Sequence, residues 1–194
     1  MPTYFGLTGT PGTGKKTLAP LVAARLGIRC HGLNDLAAAY GLVRNAAGGA
    51  EVDARRLGRR ITASVREPCL LYGHLLPDAF GRKQFSRVVV LRCEPKTLRL
   101  RLARRGYSEA KVLENVEAEL IGLISARAVE AFGAGRVAEF DTTTASPLSA
   151  AGAVADLFRL KGEIPPRLDW LPSYDSPEKL TSLLRPSRTA SPLT

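Results

Sequence analysis

The segment Gly9-Thr-Pro-Gly-Thr-Gly-Lys-Lys-Thr17 follows a short apolar run at Tyr4 to Leu7. It matches the phosphate-binding loop pattern G-x-x-x-x-G-K-[ST] at every position except the last, which holds Lys16. In such a loop the glycines let the backbone turn tightly and aim its N–H groups at phosphate oxygens. The helix behind it adds the positive end of its dipole. Gly9, Pro11, Gly12, Thr13 and Gly14 would form the cradle, and Lys15 stands where an ammonium reaches the β- and γ-phosphates. Lys16 and Thr17 open the helix. Lys16 puts a second ammonium where a Ser or Thr usually holds magnesium. A register shift of one residue does not restore the motif, because Lys15 and Thr10 would then fall on the two required glycines. The plainer reading of the segment is a glycine-rich structural turn.

The rest of the chain reads as elements that would position this loop. Tyr4 to Leu7 predicts the first strand and Lys15 to Leu26 the helix after it, with Pro20 as a candidate kink. Ile28 to Cys30 predicts a second strand and Leu33 to Ala39 a short helix. Residues 41 to 51 read as a mobile loop. Val52, Leu57, Ile61 and Val65 have helical spacing, so residues 53 to 66 predict an amphipathic helix with Arg55, Arg56, Arg59 and Arg60 outward. Cys69 to Leu71 predicts a third strand. Val88 to Leu91 is an uninterrupted apolar run, as a buried parallel strand requires. Pro95 opens a helix to about Arg104, and Ser108 can cap one long helix to about Phe132. Arg136 to Phe140 predicts the fifth strand, and Ser146-Pro147 opens a last core helix to about Leu160. This alternation predicts an α/β fold with a doubly wound, parallel five-stranded sheet. From about Gly162 the composition changes to a proline-rich extension, residues 163 to 194. In it Trp170 and Tyr174 predict docking on a surface, its own or a partner's, and residues 186 to 194 read as disordered.

The length of 194 residues suits one domain with a real core, and 45% hydrophobic content is ordinary for a globular protein. No apolar run approaches a membrane span, and no secretory signal is read at the start. Cys30, Cys69 and Cys93 are odd in number and widely spaced, which predicts reduced thiols and a cytoplasmic location. Two histidines and three scattered cysteines oppose a zinc site. The formal charge is +10, and 21 of the 28 basic residues are Arg. Such a balance fits a polyanionic partner such as ribosomal RNA, or a solvated basic surface with no particular role.

Several further segments keep one order and spacing over residues 4 to 174. They are Tyr40-Gly-Leu-Val43, Val52-Asp53, Gly73-His74-Leu75, Val90-Leu-Arg-Cys93, Arg105-Gly-Tyr-Ser108, Glu114-Asn-Val-Glu-Ala-Glu119, Asp141-Thr-Thr143 and Asp169-Trp170. With the glycine loop, they resemble the adenylate kinase isoenzyme 6 family. Another small P-loop kinase, such as a shikimate kinase, would share only the loop. The resemblance implies a P-loop nucleoside-monophosphate-kinase-like fold over residues 1 to 162, with an NMP-binding region at about 32 to 66 and a lid at about 104 to 110. It implies ATP and AMP as ligands, adenylate kinase activity, and weak ATPase activity. It also implies a role in small-ribosomal-subunit maturation, with ribosomal protein S11 and small-subunit rRNA as partners. Arg101 and Arg105 match lid arginines that close over ATP. His74 matches a residue that positions a water or the acceptor phosphate, and is otherwise a packed histidine. Asp53 either bonds AMP or begins its helix. Asp141, Thr142 and Thr143 lie where adenine would rest, or serve as capping residues. The chain departs from the family at two places together. Lys16 replaces the Ser/Thr magnesium ligand, and Tyr72 replaces the Asp of a D-x-H motif. The direct magnesium ligands are therefore lost, and activity is expected to be low. The rival expectation is a nucleotide-binding assembly factor with little or no catalysis.

Overall fold

An apolar run such as Val88 to Leu91 needs cover on both faces, and the fold provides it. The computed structural model describes residues 4–46, 49–160 and 164–186. In chain order, β1 (Tyr4–Gly9) leads through the glycine loop into α1 (Lys15–Leu26), β2 (Arg29–Gly32) and α2 (Leu33–Ala39). Then come β3 (Val43–Ala46), β4 (Gly49–Val52), α3 (Ala54–Ser64), β5 (Cys69–Tyr72) and α4 (Leu76–Ala79). β6 (Phe85–Arg92), α5 (Pro95–Ala103), α6 (Glu109–Leu120), α7 (Leu123–Phe132), β7 (Val137–Asp141), α8 (Pro147–Arg159) and α9 (Pro177–Leu184) complete the order. Five strands form one sheet in the order β2-β5-β1-β6-β7. Every pairing in it is parallel. β1 is central, so its exit loop lies at the carboxyl ends of the strands, where open α/β sheets bind ligands.

α1 and α8 cover one face, with Leu18, Val22, Val154 and Phe158 packed on Leu7, Leu70, Val89 and Leu91. The other face carries Leu33, Leu57, Ile61, Leu76 and Phe132. There Tyr4, Phe80, Phe85 and Phe132 meet edge to face, with centroid separations from 5.2 to 6.4 Å. α1 runs through Pro20, which stays on the exposed side.

The structure differs from the sequence reading in two places. Residues 41 to 51 are not a loop throughout, since β3 and β4 pair antiparallel with Val43 opposite Val52. Strand propensity in this glycine- and alanine-rich stretch rests on those two valines, so its pattern is faint. The single helix expected from Ser108 to Phe132 is two. Gly122 takes a φ of 66°, in the left-handed region, and separates α6 from α7. At the break the Glu119 carbonyl accepts from Gly122 N at 3.1 Å and from Arg92 Nη2 at 2.9 Å. The C-terminal extension docks on its own chain, one of the two surfaces expected for Trp170 and Tyr174. Trp170, Tyr174, Leu180, Leu183 and Leu184 pack against Cys93, Leu98, Leu102, Val112, Val116 and Leu120. Arg99 fastens α9 through the carbonyls of Leu183 and Arg185, each at 2.6 Å. The disorder expected for residues 186 to 194 falls, beyond Pro186, outside the described residues. No described helix is long and apolar enough to cross a membrane.

Candidate nucleotide site

The glycine loop is shaped by close backbone approach. A Cβ on Gly9 would meet the Leu91 carbonyl oxygen at 2.3 Å, and its φ is 140°. Only glycine lets β1 turn this tightly against β6. Thr13 Oγ1 donates to the Thr10 carbonyl at 2.8 Å and braces the turn from inside. No side chain caps the amino end of α1, so its positive dipole end is left for a ligand.

Lys15 is folded back onto the loop. Its Nζ donates to the carbonyls of Gly9 at 2.6 Å and Thr10 at 2.9 Å. Burial pushes its pKa down to about 7, the Glu119 carboxylate opposes this, and the Arg105 charge adds to it. Phosphate oxygens at the loop would hold it charged.

Pro11, Lys15, Lys16, Tyr72, His74 and Arg105 line a cavity of about 280 Å³, together with Asp35 and Tyr107. A second cavity, of about 170 Å³, shares Gly12, Gly14, Thr17 and Arg105 with the first. It extends to Arg101, Thr142, Ala145 and Pro147. One loop thus borders two adjacent spaces. Burial and the neighbouring Lys15 charge hold His74 below the usual imidazole range. A neutral ring there can accept or donate one hydrogen bond. Burial and the nearby Asp35 carboxylate push the Tyr72 phenol above its ordinary pKa.

The remaining sequence candidates divide. Thr142 is buried, and its hydroxyl bonds the Thr13 and Arg92 carbonyls at 3.0 and 2.9 Å. Arg101 donates to the Thr142 and Thr143 carbonyls at 2.7 and 3.0 Å. Thr143 Oγ1 in turn bonds Asp141 and accepts from the Glu94 N–H at 2.9 Å. This strand exit therefore braces the loop wall. Asp53 is not brought to either cavity of the glycine loop. It accepts from Arg56 N at 2.9 Å as the N-cap of α3 and lines a separate space with Arg55, Asp78 and Arg127.

A buried ionic cluster behind the loop escaped the sequence reading. Arg92, at the end of β6, is 2% exposed. It reaches Glu119 Oε1 at 2.8 Å through Nε and Glu139 Oε2 at 3.1 Å through Nη1. Glu119 Oε2 accepts from the Thr10 hydroxyl at 2.5 Å, so the cluster touches the glycine loop directly. Glu139 also accepts from the Ser125 hydroxyl. The signal was there in part. Glu119 sits on the stripe formed by Val112, Val116 and Leu120, where a carboxylate must find donors.

A family model described as an AAA domain matches residues 6–122. A protein of Pyrococcus abyssi named "Putative adenylate kinase" is 34% identical over 178 residues, covering 88% of this chain and 93% of that protein. Its namesake in Halobacterium salinarum is 39% identical over 155 residues, covering 76% and 85%. Among solved structures, a shikimate kinase from Acinetobacter baumannii in complex with shikimate superposes with a TM-score of 0.57. It covers 82% of this chain and 94% of its own at 13% identity, and this likeness concerns the fold alone. The phosphate-loop fold and the two relatives agree, and the chain belongs to the adenylate kinase-like family of P-loop proteins.

Proposed function

We propose that the protein is a nucleotide kinase that transfers the terminal phosphoryl group of ATP to AMP, with slow ATP hydrolysis at the same site. The observation that carries this reading is a single glycine loop bordering two adjacent cavities that share Gly12, Gly14, Thr17 and Arg105. Phosphoryl transfer needs donor and acceptor aligned across one point, with positive charge on the moving group. The smaller cavity, walled by Thr142, Ala145 and Pro147, suits the donor nucleoside. The larger one, with Asp35, Tyr72 and His74, suits the acceptor. Lys15 and Arg105 border the larger space, and Arg105 borders both. They would stabilise charge on the transferring phosphoryl. His74, held neutral, would position the acceptor phosphate or a water. The segment around Arg105 would act as a lid and residues 32 to 66 as the acceptor-binding region.

The family implies magnesium, and the side chains present do not fit its usual site. The loop's metal position carries the Lys16 ammonium, which has no lone pair to donate. The strand-end position carries Tyr72, whose phenol stays protonated, since burial and the nearby Asp35 charge raise its pKa, and offers no carboxylate. The chain's own charges therefore carry the reaction as described here. The test is ADP formation from ATP plus AMP, with Lys15→Ala beside the unaltered protein. Lys15→Ala is expected to lower turnover about a hundredfold or more, as loss of a transition-state charge contact does. Equal turnover, or none in either protein, would reject the reading.

A second reading, as an assembly factor for the small ribosomal subunit, has separate support. Arg55, Arg56, Arg59 and Arg60 all lie exposed on α3, and the net charge is +10. Small-subunit rRNA or ribosomal protein S11 would be the partner. RNA binding should fall by orders of magnitude between low and physiological salt if several phosphates are neutralised. Salt-insensitive RNA binding, with no capture of the ribosomal protein, would remove this reading.

A further inference from the structure

The ionic cluster behind the glycine loop contains more negative than positive charge. Arg92 faces two carboxylates, Glu119 and Glu139, and all three side chains are at most 2% exposed. Buried carboxylates are tolerable only when donors surround them. Part of the supply comes from the C-terminal extension. Leu168 N donates to Glu139 Oε2 at 2.7 Å, and the Leu168 carbonyl accepts from Arg92 Nη1 at 3.0 Å. Trp170 Nε1 donates to Glu119 Oε1 at 3.2 Å. The Trp170 ring also lies over the Arg92 guanidinium, 5.9 Å from centroid to Cζ. The extension thus completes a cluster whose far end is Thr10 of the loop.

We propose that Trp170 and Leu168 are positioning residues for the phosphate-binding loop. They act through Glu119 on Thr10, so that docking of the extension and nucleotide binding strengthen each other. The proposal rests on the loop being the nucleotide site.

The sign follows from geometry. Glu119 Oε2 holds the Thr10 hydroxyl, while its Oε1 is held by Cys93 N at 3.0 Å and the Trp170 indole. A docked extension therefore keeps the loop in one shape, and a nucleotide that binds this shape favours the docked extension. By reciprocity, the extension raises nucleotide affinity by the same factor.

The chain's one tryptophan is Trp170, so its emission reports this place alone. ADP is titrated calorimetrically into the full chain and into Trp170→Phe, which keeps an aromatic ring but loses the indole N–H. Amide exchange and Trp170 emission are followed in the unaltered protein with and without ADP. The expected result is at least about fivefold weaker ADP binding by Trp170→Phe, at a temperature where it is fully folded. ADP should also shift Trp170 emission and slow exchange across residues 168 to 184. A purely structural role would move the melting temperature and leave ADP affinity untouched. Unchanged affinity in the folded variant overturns the proposal. If the variant does not fold, the unaltered protein decides, and emission and exchange indifferent to bound ADP overturn it. ADP that fails to bind the unaltered protein at all rejects the nucleotide site itself, and this proposal with it.

Discussion

Arg92→Ala is expected to destabilise the protein by about 3–5 kcal/mol, the usual cost of stripping the partner from a buried ion pair. For a domain of this size the melting temperature should fall by about 10 °C. The physical cause is what remains. Glu119 and Glu139 would stay buried, lose three guanidinium contacts and the cation beneath Trp170, and have no route to water. Arg92→Lys should recover only part of the loss. One ammonium cannot reproduce the fork that spans Glu119 Oε1, the Glu119 carbonyl, Glu139 and the Leu168 carbonyl. The measurement is thermal and urea unfolding followed by circular dichroism for the three proteins. A loss below about 1 kcal/mol, in the range of an exposed ion pair, would show that water reaches the cluster.

The second large effect concerns magnesium. The unaltered protein is expected to bind nucleotide and turn over slowly, with weak dependence on the metal. Lys16 brings one charge where magnesium would bring two, and an ammonium does not bridge oxygens with octahedral geometry. Such clamping matters most in the transition state, so turnover suffers more than binding. Lys16→Thr with Tyr72→Asp should raise turnover at saturating magnesium by about tenfold or more. The gain should exceed the product of the single changes, since both act on one ion. Steady-state ADP production by the four proteins across a magnesium titration measures this. Strong magnesium dependence in the unaltered protein would overturn the expectation, and would mean that Thr17, Asp35 or the phosphates hold the ion unaided.

What could be read from the chain beforehand follows from the range of the forces involved. The glycine loop was legible because it works through local backbone geometry, and Gly9, Gly12 and Gly14 all take positive φ. Ser108, Ser146 and Asp53 announced helix starts for the same local reason, and each accepts a backbone N–H as an N-cap. The division at Gly122 was not legible, since a lone glycine within a helical pattern is often tolerated. Around the candidate site, Lys15, His74 and Arg105 gather at one cavity as their motifs suggest. Asp53 does not join them, because its position depends on how α3 packs. The Arg92 cluster was hidden for a deeper reason. Its members come from the glycine loop, β6, α6, α7, β7 and the extension, and no periodicity connects residues so far apart.

That separation has a consequence for how the molecule is made. Thr10 comes long before Trp170 in the chain, yet the two meet at Glu119, and Leu168 joins them through Glu139 and Arg92. During synthesis the residues of the sheet appear before the extension does. Until Leu168 and Trp170 arrive, two carboxylates in the interior lack donors that the finished protein supplies. Contacts of such long range close late and slow the approach to the native state. The glycine loop, made early, thus keeps waiting for a segment made much later, and its bracing through Glu119 is complete only when that segment has docked.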